Sequence, residues 1–146
     1  MKLARKNLRI ILVDDDENDY ELLQAALSKA GFAHPIAYLR AGGIVQEYFK
    51  YTKATGSLAP HIMLLDINMP LIDGAHALKL LRKTSSFPKL PVIILSGGDD
   101  PAARRKVARQ GIFRFLKKEI DNTNVISALD DVIAFYNHHK AGSSET

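Results

Sequence analysis

The chain contains no cysteine, so neither a disulfide nor a thiolate metal site can form. That composition suits a reducing compartment. Long apolar runs are missing too. No segment approaches the roughly 20 apolar residues of a membrane-spanning helix. The first apolar run (8–13) is too short for a secretory signal, carries Arg9, and ends in three aspartates rather than a cleavage site. These absences predict a cytoplasmic protein with no membrane partner. Gly42-Gly43 belongs to no GxxxxGKS/T pattern, which excludes a phosphate loop of that kind. Internal repeats and long linkers are absent, and nothing is left over for a second domain.

What is present is a chain of 146 residues, 47% of them hydrophobic, enough for one domain with a full core. The net charge is +4. Its positive residues are uneven: Arg104, Arg105, Lys106, Arg109, Arg114, Lys117 and Lys118 crowd one stretch. No nucleic-acid motif accompanies them and interleaved aromatics are few. They read as a solvated helix face, with an acidic protein partner as the next reading, and no nucleic acid is expected.

Five apolar segments alternate with helical patterns. The strands are LRIILV (8–13), a short stretch at 36–39, HIMLLD (61–66), PVIILS (91–96) and IFRFL (112–116). The helices are expected over 18–31, 42–56, 75–84, 99–111 and 121–140. The strand cores do not alternate apolar with polar residues, so both sheet faces must be covered. This predicts an α/β fold, a doubly wound (βα)5 five-stranded parallel sheet. Residues 1–7 read as a basic tail, 8–140 as the domain, and 141–146 as a flexible tail.

In such a sheet, ligands bind beyond the carboxyl ends of the strands. The first strand ends in Asp14-Asp15-Asp16, the third in Asp66 followed by Asn68, the fourth in Ser96-Gly97-Gly98, and the fifth in Lys117-Lys118. Clustered carboxylates repel by about 4 kcal/mol per pair at 4 Å and an effective dielectric near 20. A hard divalent cation such as Mg²⁺ relieves this. The same ion offsets charge on a transferring phosphoryl group, and a nearby lysine adds a point charge. The set suits phosphoryl transfer onto a carboxylate. Asp14 and Asp15 could instead only cap a helix, and Asp16 is the better candidate for that role. Lys118 could be a plain surface lysine, Ser96 an ordinary strand-end serine, and Phe115 plain core. His34, His61, His76, His138 and His139 have no mutual ligand spacing and read as structural or solvent-facing.

With ILVDDDEND, LLDINMPLIDG, VIILSGG and FRFLKKE in these positions, the chain resembles the receiver domains of two-component response regulators over roughly 8–138. Ser96 lies thirty positions after Asp66, and Lys118 twenty-two after Ser96, as in short receivers of the chemotaxis type. The resemblance implies a flavodoxin-like fold with strand order 2-1-3-4-5. It implies Asp66 as phosphoacceptor, and Asp14, Asp15, Asp66 and the Asn68 carbonyl as the Mg²⁺ site. Ser96 and Phe115 are then the switch pair, Lys118 the partner of the phosphoryl oxygens, and Pro70 and Gly74 shape the loop. A histidine kinase would be the donor and a downstream protein or phosphotransfer partner the recipient of the signal. Such a protein is not an enzyme beyond its own phosphorylation and dephosphorylation. A receiver module that binds proteins without phosphorylation is the alternative.

Glu119 stands where the family usually has proline, and a cis bond before a non-proline residue costs about 2.5–4 kcal/mol, so a trans turn is expected. Single-domain regulators paired with bacterial phytochromes share this departure and the lengthened segment at 48–60. Gly97-Gly98 leaves room beside the phosphoryl group. In the last helix Val125, Ile126, Leu129, Val132, Ile133 and Tyr136 define the core stripe. At about 100° per residue, Phe135 falls roughly 120° from its centre, at the edge or exposed. With Arg104 and Arg105 it marks a candidate interface on the fourth helix, fifth strand and fifth helix, where a homodimer could form.

Overall fold

The computed structural model describes residues 2–40, 60–67, 90–98, 101–108 and 111–144, with Lys50, Leu78 and Lys79. Strands β1 (Ile10–Val13), β2 (Ala37–Leu39), β3 (Ile62–Asp66), β4 (Val92–Ser96) and β5 (Arg114–Lys117) form one sheet in the order β2-β1-β3-β4-β5. Every pairing is parallel. Helices α1 (Glu17–Lys29), α2 (Pro101–Ala108) and α3 (Thr123–Ser144) are described. The expected helix at 42–56 and most of the one at 75–84 lie outside the described residues, although Lys50, Leu78 and Lys79 are helical.

Every residue of β1, β3 and β4 is buried. Successive side chains of a strand point to opposite faces, so a run with no polar position needs cover on both sides. Ile10, Leu12, Ile62, Leu64, Ile93 and Leu95 meet Leu23 and Leu27 of α1 and Val125, Leu129 and Val132 of α3. Ile11, Val13, Met63, Leu65, Val92 and Ile94 share the opposite face with Leu78. The edge strands β2 and β5 are only partly buried.

Helix α1 begins where it does because the Asp16 side chain accepts from the N–H groups of Asn18 and Asp19. It ends in a Schellman motif. Gly31 adopts φ 92°, the Phe32 N–H reaches the Leu27 carbonyl, and the Gly31 N–H reaches that of Ser28. These contacts fix the N-terminal turn of α1 beside the end of β1. At the opposite end of the sheet, the Tyr136 hydroxyl donates to the His61 carbonyl at 2.6 Å, and His61 Nδ1 accepts from the Arg9 N–H at 2.9 Å. His61 thus has a structural role.

Contacts and helical structure are described near both ends of the chain. Residues Arg5–Asn7 form a short 3-10 turn, and Leu3 packs on the core. Arg5 forks onto Asp130 at 2.9 and 2.6 Å and donates to the Ala30 carbonyl at 2.7 Å. Asn137 exchanges hydrogen bonds with the Leu3 backbone. A guanidinium offers a fixed fork of donors, so three acceptors from two helices can hold it at once. At the other end, α3 continues to Ser144. Lys140 and Ala141 are good helix formers and no proline stops the helix, so Gly142 is carried within it. Arg5→Ala should lower unfolding free energy by about 0.5–1 kcal/mol in a urea titration, less at high salt, because the Arg5–Asp130 pair is partly exposed.

Candidate functional site

The carboxyl ends of β1, β3, β4 and β5 come together as the parallel order requires. Asp14 follows β1 and is 1% exposed; Asp66 closes β3 and is 4% exposed. Asp15 is half-buried. Carboxylate oxygens of Asp14, Asp15 and Asp66 lie within 4.8 Å of one another. This group fits divalent metal binding. The donors are hard oxygens with the crowded negative charge that a dication relieves. Asn68, whose carbonyl was expected to join them, lies outside the described residues, as do Pro70 and Gly74.

Lys118 follows β5, with its N–H donating to the Ser96 carbonyl at 2.8 Å. Among the described residues no peptide is cis, so the Lys118-Glu119 bond is trans, as Glu119 led us to expect. The Lys118 ammonium donates to Asp66 Oδ2 and Asp14 Oδ2, each at 3.1 Å, and to Asp19 Oδ2 at 2.6 Å. Burial alone would pull the Lys118 pKa down, but the hydrogen bond to Asp19 and the charges of Asp66 and Asp14 push it well above its ordinary value. Burial raises the Asp14 carboxyl to about 6, helped by the Asp66 charge and opposed by the Asp16 N–H and by Lys118.

Ser96 is fully buried at the end of β4, and its hydroxyl donates to the Gly98 carbonyl at 2.7 Å. It therefore sits beside β3 with a local backbone partner. Phe115 packs with the cluster around Ile11 and Met63, and the Arg104 guanidinium lies 4.5 Å from its ring centroid. Arg105 is exposed on α2. Phe135 is 40% exposed, where its helical angle puts it, and meets Phe113 edge-on at 5.8 Å. Arg104 and Phe135 thus approach β5 from opposite faces of the sheet.

Asp19 is the site residue that sequence reasoning missed. One signal existed: it occupies the first turn of α1, three positions after the cap Asp16, close to the strand end by connectivity. An open cavity bordered by Asp14, Asp19, Leu22, Lys118 and Ile120 leads to this group.

Residues 10–130 match the response regulator receiver domain family. The chain belongs to that family. The receiver is 30% identical over 129 residues to the DNA-binding transcriptional regulator NtrC of Proteus hauseri, covering 88% of this chain but 25% of that protein. It is 29% identical over 126 residues to Protein PilH of Pseudomonas aeruginosa, covering 86% of this chain and 98% of PilH. A two-component response regulator of Legionella pneumophila superposes with a TM-score of 0.77 at 23% identity, covering 88% of this chain and 99% of that one. The receiver thus spans about a quarter of the NtrC relative and nearly all of PilH. No described helix is long and apolar enough to cross a membrane.

Proposed function

We propose that this receiver accepts a phosphoryl group on Asp66 from a histidine kinase in a Mg²⁺-dependent reaction. We propose further that it acts in the cytoplasm as a signalling protein rather than an enzyme with a separate substrate. The observation that carries this is the meeting of Lys118 Nζ with Asp66 Oδ2 at 3.1 Å beside the Asp14, Asp15 and Asp66 oxygens. An Asp66 carboxylate oxygen attacks phosphorus, and the bond from phosphorus to the donor's imidazole nitrogen breaks, its electron pair leaving with the imidazole. Lys118 meets negative charge on the phosphoryl oxygens. Asp14, Asp15 and Asp66 would hold Mg²⁺, with the Asn68 carbonyl, and the ion supplies charge neutralisation for the in-line transfer.

The signal then passes to a protein or phosphotransfer partner through the face formed by α2, β5 and α3. In this reading Ser96 and Phe115 link the acceptor to that face, and Arg104, whose guanidinium covers the Phe115 ring, would move with it. A bacterial phytochrome kinase is one donor to try, given Glu119 and the long 48–60 segment. The same face supports a homodimer through Phe135. Light scattering should then give a dimer mass for the wild type and a monomer mass for Phe135→Ala; an unchanged mass removes Phe135 from the interface.

The decisive experiment is incubation with Mg²⁺ and acetyl phosphate, followed by intact mass. Gain of one phosphoryl group, lost on chelation of Mg²⁺, supports the proposal. No gain with this donor or any candidate kinase favours a phosphorylation-independent binding module.

A further inference from the structure

We propose that Asp19 is a positioning residue for phosphoryl transfer, holding the Lys118 ammonium from α1 while one of its donors passes from Asp66 to the incoming phosphoryl group. This rests on the function proposed above and adds a residue to it. An ammonium has three donors. Those of Lys118 face Asp19 at 2.6 Å and Asp14 and Asp66 at 3.1 Å each. Asp19 makes the shortest of the three contacts.

The local geometry explains why Asp19 is free to do this. It stands at the third position of α1, where an acidic side chain commonly turns back to the backbone N–H of the cap residue. Here the Asp16 N–H already donates to Asp14 Oδ1 at 2.9 Å. The Asp19 carboxylate turns outward to Lys118 instead. Glu119 follows Lys118, so no proline ring stiffens that turn, and the aim of the ammonium depends on its side-chain partners.

Asp19 also differs from the other two partners in what happens during reaction. Asp14 and Asp66 belong to the carboxylate group within metal-ligand reach of one another, and Asp19 does not. A bound dication competes with Lys118 for both. Asp66 gives up its charge when it becomes an acyl phosphate, and the charge reappears on the phosphoryl oxygens. Asp19 is the partner that neither event removes. Its side chain is 36% exposed, against 2% for Asp14 and 5% for Asp66, so it holds the half-buried Lys118 from the solvent side of the site.

The test uses Asp19→Ala and Asp19→Asn, each alone and combined with Lys118→Ala. Phosphorylation by acetyl phosphate is timed by intact mass, Mg²⁺ affinity is measured by calorimetry, and the Lys118 ammonium signal is followed by ¹⁵N NMR. At saturating Mg²⁺, Asp19→Ala should slow phosphorylation on the order of tenfold, the effect of losing one charge-assisted hydrogen bond. Asp19→Asn, which preserves shape, should fall between. The Mg²⁺ dissociation constant should stay unchanged, and in the Lys118→Ala background Asp19→Ala should have no further effect. Equal slowing in both backgrounds, no slowing, or a parallel loss of Mg²⁺ affinity would overturn the proposal. If the wild type takes no phosphoryl group, the function itself fails. The hold is then still read from the Lys118 signal, which Asp19→Ala should broaden and the wild type retain.

Discussion

Asp66→Asn, incubated with Mg²⁺ and acetyl phosphate, should show no gain in intact mass while the wild type gains one phosphoryl group. The amide keeps the shape of the side chain but its oxygen is a far poorer nucleophile and cannot form a stable acyl phosphate. Asp66 is held by β3, whose register with β4 places Asp66 opposite Leu95. Its position is therefore set by the sheet and should survive the substitution. Asp14 is buried and tied to the Asp16 N–H, and the Ser96 hydroxyl is turned to the Gly98 carbonyl. A mass gain in Asp66→Asn equal to that of the wild type would move the acceptor to another residue. Urea unfolding of the variant checks that the loss is chemical rather than structural.

Asp14→Asn should stabilise the metal-free protein above pH 6 and weaken its response to Mg²⁺. Burial raises the Asp14 carboxyl from an ordinary 3.8 to about 6. Between those values the folded protein keeps a proton that the unfolded chain has released. Stability therefore falls as pH rises through that window, and the penalty is complete above it. The shift corresponds to an upper bound on the order of 3 kcal/mol. Asparagine carries no charge to desolvate, although it gives Lys118 a weaker acceptor. A gain of roughly 1–3 kcal/mol at pH 8 is expected, shrinking to nothing below about pH 4. Saturating Mg²⁺ should reverse the order, because a ligand at a hundred times its Kd adds about 2.7 kcal/mol to a protein that binds it. Urea titrations at several pH values, with and without Mg²⁺, read both effects. A constant difference across pH would refute the electrostatic explanation.

Both predictions concern residues that stand out in the amino-acid sequence. Asp14, Asp66, Ser96 and Lys118 lie at or just beyond the ends of apolar runs, and parallel strands with short connections bring such ends to one edge. The strands were legible because buried parallel strands carry apolar runs, unbroken through β1 and up to the last residue of β3 and β4. The exposure of Phe135 followed from helical angle alone. The contacts across the molecule did not follow in this way. Arg104 over Phe115, Arg5 on Asp130, and Asp19 on Lys118 each join segments whose local patterns say nothing about the other.

The sequence alone determined the order of elements, the doubly wound class and the chemistry of the strand ends. Periodicity, caps and turn residues act over a few positions, and those properties are local or follow from connectivity. The tertiary structure decided that Leu3 packs on the core and that α3 carries the acceptor for Arg5. It also decided that Lys118 is shared among three carboxylates, including one from α1 that has no mark in the sequence beyond its place after a cap. Side-chain aim across 99 positions of chain depends on how helices settle on the sheet and which backbone donors are already taken. Here the Asp16 N–H was taken by Asp14, and Asp19 was left to face the lysine.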